Sequence, residues 1–408
     1  MAEQNGGIVP QTVNRPPYNL LKAQPPGDAI ASSENEPDSG DDTDGARQKA
    51  KQKTRKRDED FQLSLPPTEK TEEWAAIRGH PESLNASSII SAIKRLFGGD
   101  SDISNLWVML SERPDLAEGA LKEAKRGIAS IDPYVRGCAL EVADTVALKA
   151  PDFAPEALEL AKTAMTDRNA QNRSLALATI GDSAYHRDDL AGTAFDLLKP
   201  AIKDVDAGVR GTAYEMMGRV VAGEPGRPRR DSALAVFDCA KIGVNDPDDA
   251  TRGSAYGALG EVVKARPEVG EAALELAKNG MTNSRNSTRL GAMHALTAIV
   301  LARPDLAEKA LGIAKTTMAD QDDVVRLQTN DVLCAVVSTR RDLMGAVVPL
   351  AERMARDDPD KLVREVAQKE TLDSIRYLQP HPDTSAKSQS SGSSVKTERV
   401  TRPPAISP

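Results

Sequence analysis

Seven arginines, Arg136, Arg173, Arg210, Arg252, Arg289, Arg326 and Arg364, stand 37, 37, 42, 37, 37 and 38 residues apart. A guanidinium is a planar fork of donors that matches a carboxylate or phosphate two-to-two. A regular row of them could grip a polyanion or tie the chain to itself. Their neighbours favour the second use. Six residues before each arginine come Ser130, Asp167, Asp204, Asp246, Asn283, Asp320 and Asp358. Four before come Asp132, Asn169, Asp206, Asp248, Arg285, Asp322 and Asp360. With carboxylates that near, the forks are expected to pair within the protein rather than with an external anion.

No constellation for covalent, metal or phosphate chemistry accompanies them. The sequence lacks a Gly-x-Ser-x-Gly elbow, a Gly-rich loop ending in Lys-Ser/Thr, and a His-Glu-x-x-His pair. His80, His186, His294 and His381 do not cluster. Cys138, Cys239 and Cys334 have no metal-ligand spacing and read as small buried residues of a reducing compartment. No catalytic, cofactor-binding or metal residue is therefore expected, and the chain does not read as an enzyme.

The elements that carry the arginines repeat with them. Eleven residues before each of the first six arginines stands a lysine, Lys125, Lys162, Lys199, Lys241, Lys278 or Lys315, with Glu352 near the seventh place. The lysines close helical patterns such as Ala157-Leu-Glu-Leu-Ala-Lys162 and Ala273-Leu-Glu-Leu-Ala-Lys278, whose apolar residues share one face. Pro, Asp and Glu at Pro114-Asp115, Pro151-Asp152, Asp188-Asp189, Pro267-Glu268, Pro304-Asp305 and Asp342 mark helix starts. A short turn follows, and both Asp/Asn columns supply N-caps for a second helix. That helix places Ala139, Ala176, Ala213, Ala255, Ala292, Thr329 and Ala367 three residues past the arginine. Seven past it come Ala143, Ile180, Met217, Leu259, Leu296, Leu333 and Thr371. A fixed period near 37 is the mark of a stacked repeat architecture. The 42-residue step inserts five residues around Gly223–Arg230, a surface loop or a functional one.

Helix, Asp-bearing turn, then Asp-x-x-Val-Arg opening a second Ala/Leu-rich helix resembles the HEAT repeat, most closely at Asp204–Arg210 and Asp320–Arg326. The resemblance spans about residues 113–378. It implies an all-α, right-handed α-solenoid of about seven HEAT-like (HEAT/armadillo class) two-helix repeats with an N-terminal helical cap and disordered ends. It also implies that the seven arginines and their Asp/Asn columns form a ladder between units. Asn283 and Arg285 depart from the pattern, so the weak rung is expected near Arg289. The family also contains glycosylase-like and bilin-lyase-like members. An enzyme or nucleic-acid binder is therefore the alternative, but Trp74 and Trp107 lie outside the repeats, where a glycosylase-like aromatic groove does not need them.

The parts follow. Residues 1–71 are poor in large apolar groups and read as disordered. They hold an acidic run, 34–44, and a basic run, Arg47–Arg57, in which Lys53, Arg55, Lys56 and Arg57 form a candidate import signal. Residues 72–112 carry short helical patterns at 71–78, 83–97 and 102–111, the last two covering the open end of the array. Residues 113–379 are the repeats, and 380–408 a disordered tail. Gln368, Lys369, Glu370 and Thr371 make the last unit polar, as a C-terminal cap requires.

The whole chain has a net charge of −8, and residues 81–380 carry 45 acidic against 38 basic side chains. Neutralising phosphates needs the opposite balance, so nucleic acid is an unexpected partner. No segment is long and apolar enough to span a bilayer; Leu290–Ala302 is too short and contains His294. The expected partner is a protein or extended peptide in the concave face built from second helices, with a monomer favoured. Positions five and nine past the arginines lie off the core stripe. They comprise Glu141, Asp182, Glu215, Arg219, Glu261, His294 and Asp331, and Tyr214 and Tyr256, four past their arginines, either stack side by side as exposed anchors or fill the groove between helices. The localisation expected is cytoplasmic. The import-like run and the absence of a secretory signal also fit a bacterial effector, secreted without a classical signal and nuclear in a host cell.

Overall fold

The structure, a computed structural model, describes residues 81–99, 103–224 and 227–378. The chain divides into two units, Met1–His80 and Pro81–Pro408. The first lies outside the described residues, and with it the 71–78 helix and both charge runs; the 380–408 tail does as well.

All regular structure among the described residues is helical. Two helices, α1 (Ala86–Phe97) and α2 (Ile103–Glu112), precede a series of pairs. The pairs are α3 (Ala117–Gly127) with α4 (Pro133–Lys149), α5 (Ala154–Ala164) with α6 (Ala170–Tyr185), and α7 (Ala191–Leu198) with α8 (Ala207–Ala222). Next come α9 (Arg230–Gly243) with α10 (Asp249–Ala265), α11 (Gly270–Gly280) with α12 (Asn286–Ala302), and α13 (Ala307–Thr317) with α14 (Asp323–Thr339). The last first helix, α15 (Met344–Asp357), is followed by α16 (Lys361–Val366), a π-helical stretch at Ala367–Leu372, and α17 (Asp373–Leu378).

The local chemistry explains the boundaries. The 3₁₀ turns Pro114–Leu116, Pro151–Phe153, Pro267–Val269 and Pro304–Leu306 open first helices, with proline where no backbone N–H is needed. Second helices begin at side-chain caps. Asp132, Asn169, Asp206, Asp248, Asp322 and Asp360 each accept a hydrogen bond from a first-turn N–H. Only this column caps. The column two residues earlier turns the chain instead, as Asp246 does by accepting from the N–H of Asp248 at 2.9 Å.

The even-numbered helices stack closely on one another, whereas successive odd-numbered helices barely touch. Two layers of unequal spacing make the array curve toward the more tightly spaced one, the second helices. Small residues permit that spacing. At Gly291 a Cβ would lie 2.9 Å from Gly253 Cα and 3.0 Å from its carbonyl oxygen, so two glycine backbones touch between α10 and α12. Both stripes past the arginines, from Ala139 to Ala367 and from Ala143 to Thr371, are fully buried. Thr371 therefore belongs to the core, contrary to the expectation of a polar cap there; its hydroxyl donates to Asn330 Oδ1 at 3.0 Å. Gln368, Lys369 and Glu370 beside it are exposed.

Candidate partner-binding face

The recurring arginines reach forward. Arg136 Nε and Nη2 donate to Asp167 at 2.6 and 2.8 Å, and Arg210 to Asp246 at 2.8 and 2.7 Å. Arg173 meets Asp204, Arg289 meets Asp320, and Arg326 meets Asp358 in the same way. Each Nη1 also donates to the carbonyl six residues back, as from Arg210 to Asp204 O at 3.0 Å. The Arg136 guanidinium, with the Asn169 N–H adding to it, holds the Asp167 carboxyl down at about 2.

The expected weak rung is displaced. Arg289 is fully forked, because its acceptor Asp320 belongs to the following unit. The fault falls at Arg252, whose forward neighbour is Asn283; its Nε donates instead to Thr288 Oγ1 at 2.9 Å. The direction of the fork, which the spacing alone does not reveal, moves the defect back one unit. At Arg285 the N-cap makes no side-chain hydrogen bond, as the substitution for Asp implies.

A second arginine row went unread in the sequence. Arg113, Arg187, Arg303 and Arg340 each fork onto the aspartate two residues on, Asp115, Asp189, Asp305 and Asp342. Their Nη1 groups donate to Leu84 O, Pro151 O, Pro267 O and Pro304 O of the preceding unit. The signal was present in the recurring Arg-Pro-Asp-Leu of 113–116 and 303–306. In the insertion, Arg229 takes over this role. It pairs with Asp188 at 2.8 Å and donates to the carbonyls of Val220, Ala184 and Tyr185. Gly223 turns the chain there with φ +55, and a Cβ would stand 2.9 Å from Arg227 O.

One stripe of each second helix stays open on the side away from the first helices. It holds Asp144, Ala178, Arg219, Gly257, Glu261, His294 and Asp331, with Glu215 exposed on α8. Five of the residues singled out from sequence lie on it: Glu215, Arg219, Glu261, His294 and Asp331. Glu261 pairs with Lys264 at 2.7 Å, and His294 Nε2 meets Gln328 Oε1 at 2.9 Å. The tyrosines do not belong there. Tyr214 is 1% exposed and Tyr256 2%, each wedged against the first helix of the following pair. The Tyr214 ring lies against Gly243, and Tyr256 donates to Leu276 O at 3.0 Å. Burial pushes both phenols up to about 12. A small residue at Gly243 or Gly280 leaves a slot that only the ring fills, which withdraws both tyrosines from any partner surface.

Across α4, α6 and α8 the stripe gathers carboxyl groups. Arg219 ion-pairs with Asp182 and lies over the Tyr185 ring at 4.5 Å. The pair meets off the N–H direction, so neither Asp182 Oδ1 nor Arg219 Nε makes a directed hydrogen bond. Asp144 abuts Asp182, and burial followed by that neighbouring charge holds Asp144 well above the usual carboxyl range. Burial raises Asp182 as well, with Arg219 opposing it. Glu215, whose side chain reaches solvent, is still raised by the protein atoms crowding its carboxyl and then by Asp182. Asp144 was missed in the sequence. Eight residues past their arginines the next three units have Gly181, Gly218 and Gly260, so an aspartate in that column was the available signal.

Among the described residues no His, Cys, Asp and Glu group could hold a metal ion, and no helix is long and apolar enough to cross a membrane. Cys138 and Cys239 are buried and Cys334 half-buried; burial pushes the Cys138 thiol up to about 11.

No protein-family model and no curated protein sequence matches the chain. Solved structures do. Kap95 in a Kap95:Nup1 complex superposes with a TM-score of 0.56 at 14% identity, over 76% of this chain and 43% of that one. Kap121p bound to Pho4p gives 0.52 at 12%, over 69% and 33%. Kap121p bound to the SUMO protease Ulp1p gives 0.51 at 13%, over 74% and 35%. The chain thus spans well under half the length of these karyopherins. At such identity the likeness is one of fold, and the fold is a HEAT-like α-solenoid.

Proposed function

We propose that this HEAT-like solenoid is a non-enzymatic scaffold that takes a protein or extended peptide along the open stripe of its second helices. The observation that carries the reading is the stripe itself. Helices α8, α10, α12 and α14 are buried almost all round, yet each keeps one line of side chains uncovered, marked by Glu215, Arg219, Glu261, His294 and Asp331. A curved layer with one free face offers a long surface at little cost in chain ordering, because the helices are already fixed. Kap95 and Kap121p, which share the fold, are seen in complexes with other proteins, which supports the same use here.

Two tryptophans test it. A Cβ at Gly257 meets nothing within 4 Å, and Gly257 lies on the open stripe; Gly312 is equally free but sits on the first-helix layer. Gly257→Trp should abolish retention of the proteins that the full chain captures from a cell extract, while Gly312→Trp should leave it intact. Retention that survives Gly257→Trp, or is lost equally with both, overturns the reading.

A further inference from the structure

The forward-reaching ladder has an end. Its closed forks each take an aspartate further along the chain, 31 residues on for Arg136, Arg173 and Arg289, 36 for Arg210 and 32 for Arg326. Arg252 spends its Nε on Thr288. Arg364 holds the same posture as the others. Its Nη1 donates to the carbonyl of Asp358, six residues back, and to that of Pro359 at 3.0 Å. Its Nε and Nη2 meet no partner among the described residues, and the residue is only half-buried. A guanidinium already pinned by two carbonyls, with two parallel donors left over, is ordered in advance for a carboxylate.

Few groups reach it. A second copy stacked end to end would offer its first unit's residue six before the arginine, and that residue is Ser130, not an aspartate. Past Leu378 this chain carries two acidic residues, Asp383 and Glu398. The fork lies level with Pro359, before the continuous helical run Lys361–Leu378, so Leu378 stands roughly 27 Å away at the α-helical rise. Asp383, five residues beyond Leu378, spans at most about 17 Å and falls short. Glu398, twenty residues beyond, closes a Ser-rich stretch whose root-mean-square span is about 22–27 Å. That match of length to gap gives close to the highest effective concentration a tether can supply. Glu398 also lies 34 residues past Arg364, inside the spread of 31 to 36 set by the closed forks. We propose that Glu398 docks on the Arg364 fork, so that residues 379–398 strap the C-terminal end of the solenoid and supply the rung that no further unit provides. The strap uses the turn edge rather than the open stripe, and it stands independently of the scaffold reading.

The probe is trypsin, which cuts after Lys396 and Arg399 on either side of Glu398. Cleavage at Lys396 in the full chain is timed by mass spectrometry against cleavage within Arg47–Arg57 of the same chain. Glu398→Gln should accelerate it about fivefold, the ratio expected when one partly exposed ion pair is lost. Arg364→Ala should accelerate it to the same degree. The substitution at Glu398 also alters the protease's own substrate, so it is repeated in the Arg364→Ala chain. There it should add no more than it does in a synthetic peptide of residues 390–404. Asp383→Asn should change nothing, and the wild-type rate should not vary with protein concentration over a roughly fiftyfold range. Equal acceleration by Glu398→Gln with and without Arg364, or none in the wild type beyond that of the peptide, overturns the strap. Acceleration by Asp383→Asn overturns the choice of carboxylate. Protection that grows with protein concentration gives the fork to a second copy and overturns docking within one chain. Glu398→Gln touches no contact of the described residues, so the comparison holds even where Arg364→Ala loosens the last unit.

Discussion

Replacing Arg210 by alanine should cost much more stability than the same change at Arg252, although the two occupy equivalent places. Arg210 forks onto Asp246 at 2.8 and 2.7 Å, with side chains 13% and 8% exposed. Removing one partner of a well-buried ion pair costs about 3–5 kcal/mol, and the residual exposure here points to ~3. Arg252 donates its Nε–H alone to a neutral hydroxyl, Thr288 Oγ1, for which about 1 kcal/mol is ordinary. Both arginines also donate from Nη1 to the carbonyl six residues back, at 3.0 Å to Asp204 O and 2.7 Å to Asp246 O, so that loss cancels in the comparison. The difference is about 2 kcal/mol. With a urea dependence near 2 kcal/mol per molar, it appears as a midpoint lower by roughly 1 M in Arg210→Ala than in Arg252→Ala. Urea titrations followed by circular dichroism on the two full-length variants measure it. A midpoint for Arg252→Ala equal to or below that of Arg210→Ala would refute the argument that the rung at Asn283 is the weak one.

The same rung can be repaired. Asn283→Asp offers Arg252 the carboxylate found in the neighbouring units and should raise the midpoint by about 1 kcal/mol equivalent; no gain sinks the forward-reaching fork. The acid limb follows from Asp167. Its pKa is depressed to about 2, so the stability from its pairing with Arg136 is present above pH ~4 and is lost as pH falls toward 2; Asp167→Asn should be less stable than the wild type at pH 6 and converge on it near pH 2. Asp144 has the opposite sign. Its pKa is raised, so its contribution is fully present below pH ~4 and is lost as pH rises through the folded value; Asp144→Asn should melt higher than the wild type at pH 8, and a lower melting temperature would contradict the account. Gly291→Ala should destabilise by ~1–3 kcal/mol, because its methyl meets the Gly253 backbone, whereas Gly257→Ala, in open space on a helix, should stabilise by about 1; matching signs in thermal melts would contradict the layer geometry.

Much of the fold was legible because a solenoid is local. Each unit rests on its neighbours, so the pattern that specifies one pair of helices recurs and reinforces itself over the 37-residue period. The apolar stripes past the arginines, the Asp caps and the helix-starting prolines are short-range signals, and the structure places their residues in the core, at N-termini and in turns. The sequence by itself thus determined the repeat, the helix boundaries and the all-α class. Tertiary structure decided what depends on direction across a gap. Arg252 rather than Arg289 is left without a carboxylate because the fork points to the following unit, and one-dimensional spacing has no forward or backward. Tyr214 and Tyr256 turn inward because glycines on the partner helices, far along the chain, leave room for their rings. Asp144 and Asp182 stand 38 residues apart, each unremarkable among many carboxylates. Only the stacking of α4 on α6 sets them against each other under one arginine, where burial raises both carboxyls above their usual range.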